Sequence, residues 1–422
     1  MKTPGIDRYD VVVVGGGAAG VASALGSARQ GARTLLVERY GFLGGAATNS
    51  LVLTYCGFYV AGREQQRAVG GVGWELLREL QRLGFDSAPV RSKSGNWLVM
   101  LDVEAVKFAF DNLVASPNLH LRFHTRLVSA EVEGGCIKSV RLADHAGLHD
   151  VEAAAFVDAS GEASLSAFAG ATLSLAGGPG AHLQPASLPV HIGGVPPDVP
   201  IEIGPLAAIV ERYNATAQTQ LARADGGILV RLPGSEGVWW MGVDLVTPGL
   251  EGSDLARAET QARRQAWEFL PYLRELPGFH KAFILSTGPQ LGIRETRRPR
   301  SIGDVTADDG SEGRRRDDGI GRGCWPMEVH EAPGRAVYLP IGGEGFFDIP
   351  YSAIQAQTIG NLRLAGRVTG ADQMAYGSTR VMGTAFATGH AAGVSAALQS
   401  GQGAVPDADA VRRILRAQDA IV

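Results

Sequence analysis

The stretch YDVVVVGGGAAG, Tyr9 to Gly20, read together with TLLVE, Thr34 to Glu38, decides the fold. Four consecutive valines make a strand buried on both faces, as in a parallel sheet covered by helices. The Gly15, Gly17 and Gly20 pattern then turns into a small-residue helix, a second apolar strand follows, and Glu38 closes the unit. Strand, glycine turn, helix, strand and terminal acid together describe a βαβ dinucleotide site. Gly15 allows the tight turn, Gly17 lets the backbone approach a pyrophosphate, and Gly20 lets the helix lie close to the strand. Ala18 and Ala19 open that helix, whose unpaired N–H groups and positive dipole end face the phosphates. Glu38 accepts from ribose hydroxyls, and its charge repels a 2′-phosphate. FAD or NAD therefore fits and NADP does not.

Composition narrows the class. The 422 residues are 45% hydrophobic and 19% charged, ordinary for a globular enzyme of two or three lobes. A net charge of −4 predicts no nucleic-acid partner. Arg314 to Arg316 is bracketed by Asp308, Asp309, Glu312, Asp317 and Asp318, so it reads as a solvated loop and not a basic patch. Met1 to Arg8 lacks the apolar core of a signal peptide, and no run is long enough to span a bilayer. The three cysteines, Cys56, Cys136 and Cys324, lie far apart without CxxC or metal-ligand spacing. The expectation is a reduced cytoplasmic protein with no metal site and without disulfide-reductase chemistry.

Helical spacing marks Val103 to Val114, and His120 to Ala130, Gly135 to Leu142 and Val151 to Val157 read as strands. Asp158 follows the last of these and is placed to cap a helix beginning near Glu162. Beyond Gly170 the texture changes to proline-rich turns, a helix within Pro205 to Gln220, strands near Gly227 to Leu232 and Gly237 to Leu245, and a polar helix from Asp254 to Phe269. No phosphate-binding signature occurs there, and Asp304 to Gly323 reads as a floppy loop. The predicted architecture is α/β: a doubly wound, Rossmann-like cofactor domain of residues 1–172 and 351–422, interrupted by a β-rich α+β substrate domain of residues 173–350.

Four further blocks carry a family resemblance. Arg39 to Ser50 (RYGFLGGAATNS), Asp158 to Ala163 (DASGEA), Gly292 to Arg298 (GIRETRR), and Asn361 to Arg367 (NLRLAGR) with Tyr376 to Gly383 (YGSTRVMG) resemble the bacterial FAD-dependent oxidoreductases related to the fumarate reductase flavoprotein, whose members carry a GxRExR motif. The resemblance spans roughly residues 9 to 395 and implies FAD. It places Arg39, Gly44, Gly45, Ala46, Ala47 and Thr48 beneath the phosphates and ring, and Ser160 and Gly161 at the adenosine end. Gly366, Arg367, Arg380, Val381 and Met382 form the C-terminal flavin contact, where a helix N-terminus suits the negative charge of a reduced flavin.

The resemblance implies a substrate site between the two domains. His330, in the block WPMEVH, suits proton transfer, and Arg294 and Arg297 either hold a carboxylate or carbonyl or pair as struts with Glu295 and its neighbours. Tyr351, Tyr376 and Arg380 are expected beside the ring, and Cys56 either faces it or is a buried small residue. The acid of WPMEVH is shifted from the family pattern, so Glu328 receives no role. The expected activity moves a hydride between a small polar organic substrate and flavin N5, with oxygen, a quinone or a redox protein as the external acceptor. A second GxGxxG for NADPH is missing. An aromatic hydroxylase is the competing enzyme, discounted because AGRVTG stands where GDAAH is expected. A flavoprotein scaffold or redox sensor is the competing non-enzyme, and a homo-oligomer is left open.

Overall fold

The computed structural model describes residues 6–92, 94–178, 182–232 and 235–422; Met1 to Gly5, part of the leader read above, lie outside the described residues. The chain enters through β1 (Asp7–Val14), α1 (Ala18–Ala28) and β2 (Thr34–Val37). A small antiparallel sheet follows with β3 (Trp97–Met100) at its centre, then α2 (Val103–Leu113), β4 (Leu119–Arg122), β5 (Arg126–Glu133), β6 (Cys136–Asp144) and β7 (Gly147–Asp158). Residues 119–133 thus form two strands where the sequence reading expects one. His124 takes a φ of 50° between them, which no continuous strand tolerates.

The main sheet runs β4-β2-β1-β7-β6-β5, with parallel pairing from β4 to β7 and antiparallel pairing beyond. A second sheet comprises β8 (Ala186–Gly193), β9 (Ile228–Arg231), β10 (Val238–Leu245) and β11 (Phe283–Thr287), ordered β9-β10-β8-β11, and one of its faces is covered by α3 (Gly252–Leu273). The hairpin β12 (Met327–Ala332) and β13 (Arg335–Leu339) leads back to β14 (Leu362–Leu364), which extends the main sheet beside β7, and to α4 (Met382–Gln402). This is the α/β architecture expected, a largely parallel sheet with added antiparallel sheets.

Helix α4 packs directly on α1. A Cβ on Gly389 would stand 2.2 Å from the Ala19 carbonyl oxygen, and one on Gly393 only 1.9 Å from that of Ser23. The two backbones therefore touch, and Ser23 Oγ donates to the Gly389 carbonyl at 2.8 Å. Helix α4 starts at Met382, where extended Val381 separates it from the single turn Tyr376–Thr379.

Asp158 does serve a helix start, from six residues ahead of it: its carboxylate accepts the first-turn N–H and the hydroxyl of Ser166 in the helix Ser164–Phe168, at 2.8 and 2.7 Å, and also holds Ser160. Two local expectations are corrected. Residues 304–323 are no floppy loop. Thr306 and Asp309 form a capping box on the helix Ala307–Glu312, and Gly319–Gly323 is a strand. Nor is the arginine run solvated as a whole. Arg314 and Arg316 reach Asp309, which has no exposed surface, at 3.1 and 2.7 Å, and Arg315 reaches Asp348 at 2.9 Å. Asp309→Asn removes the charge that two guanidiniums and a helix start share. It is expected to cost roughly 2 kcal/mol, read as a lowered thermal midpoint at unchanged FAD affinity.

Candidate functional site

A cavity of about 700 Å³ lies between the two sheets. At one end the βαβ turn supplies Gly15, Gly17, Ala18 and Ala19. Gly15 has φ +102°, a left-handed value that favours glycine, and a Cβ there would meet the Ala159 carbonyl oxygen at 2.5 Å. A Cβ on Gly20 would be 1.7 Å from the Gly15 carbonyl oxygen, so this residue sets the helix against the strand end from behind the cavity wall. Gly17 differs: a Cβ there meets nothing nearer than Gly45 Cα at 3.5 Å, an ordinary contact. Its openness belongs to the cavity.

The second glycine pair sits against the first. Gly44 N–H donates to the Gly16 carbonyl at 2.9 Å, and Gly17 and Gly44 pair as a single parallel bridge. Gly44, Gly45 and Ala46 line the cavity, whereas Ala47 is fully buried beneath them and Thr48 turns its hydroxyl back to the Leu43 carbonyl at 2.8 Å. Asn49 is also on the wall, and its buried Oδ1 has no partner. Glu38 lines the same end; its carboxylate accepts from Gly16 N at 2.6 Å and Tyr40 N at 3.0 Å. Arg39 lies beside it and donates to Gln290 at 2.5 Å, joining the two sheets across the cavity edge.

Ser160, Gly161, Gly366, Arg367, Val381 and Met382 line the middle. Arg367 braces this part, donating to Glu162 at 2.6 Å and to the Ile293 carbonyl at 2.7 Å. The start of α4 opens here, with first-turn N–H groups that have no intrahelical acceptor.

The far end gathers Arg294, His330 and Arg380 with Glu328. Glu328 and Tyr338 are opposite each other on the β12–β13 hairpin, and the Tyr338 hydroxyl donates to Glu328 Oε1 at 2.9 Å. Trp325 Nε1 donates to Oε2 at 2.9 Å, His330 Nε2 lies 3.0 Å from Oε1, and Arg380 stands 3.9 Å away. Burial alone would raise the Glu328 carboxyl, but the His330 pairing, the Arg380 charge and the Trp325 N–H hold it well below the usual carboxylate range. Burial lowers His330, opposed by Glu328 and reinforced by the Arg294 and Arg380 charges; the ring is neutral at neutral pH. Arg294 donates to the Pro185 carbonyl at 2.5 Å and lies 3.9 Å from Asp244.

Two expected ring-side residues are elsewhere. Tyr351 is off the cavity wall, its hydroxyl 2.6 Å from Ser395 Oγ more than three turns along α4 from the helix start that borders the cavity. Tyr376 faces away too, donating to the Arg294 carbonyl at 2.8 Å with Arg298 over its ring. Arg297 serves as a strut, donating to the Glu162 carbonyl. Cys56 is on the wall, and burial pushes its thiol up, so it presents no thiolate. Glu328 is the residue that the sequence reading passes over. The alternation that puts Glu328 and His330 on one face of WPMEVH was its available signal.

The family model described as FAD dependent oxidoreductase matches residues 10–418. The chain belongs to the FAD-dependent oxidoreductase family. FAD is its cofactor, and the residues fit it: glycine backbones on both sides, an open face at Gly17, two helix starts and an unpartnered Asn49 oxygen all border one elongated cavity. Among solved structures, GidA from Aquifex aeolicus is similar at TM-score 0.53 and 14% identity, over 95% of this chain and 64% of that one. A geranylgeranyl bacteriochlorophyll reductase-like protein from Thermoplasma acidophilum is similar at TM-score 0.48 and 13% identity, over 98% and 83% of the two chains. Such identities show the fold alone. Among the described residues no helix is long and apolar enough to cross a membrane.

Gly17→Ala is expected to leave the apoprotein folded, with an unchanged thermal midpoint, and to remove FAD from the purified yellow protein; Gly20→Ala, which forces backbones apart, is expected to lower stability itself. Thermal melts and FAD titration of both variants separate the two roles. Glu38→Gln is expected to weaken FAD by about 1–2 kcal/mol, the order for losing a charged hydrogen-bond acceptor, with a normal flavin spectrum. Unchanged affinity in that titration would remove Glu38 from the ribose.

Proposed function

We propose that this oxidoreductase exchanges a hydride between a small organic substrate and FAD, with His330 moving the accompanying proton. Bound FAD supplies the two-electron acceptor or donor. The observation that carries the reading is the His330–Glu328 pair at the end of the cavity opposite Glu38. An ionised Glu328 beside Nε2 holds the proton on that nitrogen and leaves Nδ1 with a free lone pair. Nδ1 has no protein hydrogen-bond partner among the described residues. In the oxidative direction it takes the proton of a substrate hydroxyl or amine while the hydride leaves the adjacent carbon, giving a carbonyl or imine; the reverse direction returns both.

Glu328 is a positioning residue in this scheme, fixing the ring's tautomer and orientation. Backbone contacts hold the ring's position as well: His330 N–H donates to Gln184 at 3.2 Å, and its carbonyl accepts from His182 at 2.6 Å. The electrons leave to an external acceptor of the oxygen, quinone or redox-protein class.

Anaerobic stopped-flow mixing with a substrate that bleaches the flavin band tests the assignment. His330→Ala is expected to keep its FAD and slow bleaching by about 10²–10⁴-fold. Wild-type rates in that variant would leave a structural histidine only. Because burial lowers the His330 pKa, its neutral form persists below the ordinary value of about 6.5, and the rate falls only as pH drops through the lowered pKa. Glu328→Gln removes the charge that raises it, so the acid limb moves to still lower pH as the maximal rate falls.

A further inference from the structure

The strands that wall the cavity away from the glycine turns alternate cleanly. On β10, Val238 and Trp240 point into the core beneath α3, whereas Trp239 and Met241 point to the cavity. On β9, Leu229 joins that core while Ile228 and Val230 face the cavity. The register pairs Ile228 with Met241 and Val230 with Trp239, so these four side chains form one continuous apolar face. Leu98 and Met100 of β3 line the same cavity, with Val99 between them buried on the other side. Trp239 is held in this wall by its Nε1–H, which donates to the Leu51 carbonyl at 2.7 Å. Ile228 is 40% exposed and marks the mouth.

Charge at the inner end is balanced. Arg294 and Arg380 each face a carboxylate, Asp244 and Glu328, at 3.9 Å, and all four side chains are buried, with at most 15% of any exposed. Asp244 is itself fixed by the Ser187 hydroxyl and by Gly334 N–H at 3.1 Å. Arg294 spends a further N–H on Pro185. Arg380 Nε is left buried without a partner, a donor for a neutral oxygen. A substrate carboxylate would have to leave water for a place where each guanidinium charge already stands beside a buried carboxylate, at a cost not repaid.

We infer that the substrate is an uncharged amphiphile: an apolar, hydrocarbon or aromatic body lying in the slot lined by β3 and β9–β10, with one neutral hydroxyl or carbonyl group delivered to His330. The inference rests on the proposed site at His330 but concerns binding, which is measured without turnover. The apolar lining recognises length and shape. The balanced charges reject anions.

The test uses the FAD-loaded protein and two probe series, straight-chain primary alcohols of six to ten carbons and the carboxylates of the same lengths, followed by perturbation of the bound flavin's absorbance. Affinity for the alcohols is expected to tighten by about fourfold per added methylene until the slot is full, and each carboxylate is expected to bind at least tenfold more weakly than its alcohol. Val230→Asp should abolish the length dependence with FAD content retained, and Met241→Ala should move the best length upward. If neither variant folds, the wild-type series still decides. Length-independent binding, or carboxylates binding tighter than alcohols, overturns the inference. Length-dependent binding of alcohols with no flavin bleaching under anaerobic conditions supports the slot and sinks hydride transfer from such compounds.

Discussion

Everything in this molecule hangs on the contact of two helices through bare backbone. Gly389 and Gly393 of α4 lie against the carbonyls of Ala19 and Ser23 in α1, closer than any side chain permits. Gly389 is the eighth residue of α4 and Ala19 the second of α1, so the helices run parallel with the start of α4 reaching past that of α1, and both starts border one cavity. The βαβ turn alone would hold a pyrophosphate.

Opposite this rigid base the chemistry is built on a hairpin. Glu328 lies across from Tyr338 on the neighbouring strand, with His330 two residues further along the same face, and the group is tied to the cofactor side by Arg380, which donates to the Glu328 carbonyl at 3.2 Å. Burial, which would drive an isolated carboxylate neutral, is overcome by the His330 pairing, the Arg380 charge and the Trp325 N–H. The same burial keeps His330 neutral. One environment thus leaves an acid ionised and a base unprotonated, the division of labour that proton transfer needs.

The cofactor half was legible because its constraints are local. GGGAAG, Glu38 and the glycine pair at 44–45 act through neighbouring backbone, and contiguous sequence displays them. The end of the cavity around Glu328 and His330 depends on cross-strand register and long-range packing. Nothing in the order of letters shows that Tyr338 faces Glu328, or that Tyr351 meets Ser395 far along α4. Residues 304–323 were misread for another reason: Thr306 and Asp309 carry the spacing of a helix start, but dense acids and arginines mimic solvent exposure, and the sequence alone does not reveal that Asp309 is buried. The apolar slot was written in the alternation of VWWMGVDL, where both tryptophans look alike until the two faces of β10 are told apart.

The dependence of the first helix on the last long one has a consequence for synthesis. A nascent chain emerging at about 5–20 residues per second shows its glycine turn within seconds, but α4 follows only after most of the remaining chain has been made. Until then the Ala19 and Ser23 carbonyls face no glycine, and the helix start at Met382 that borders the cavity does not exist. The cavity is therefore completed only once α4 has been made.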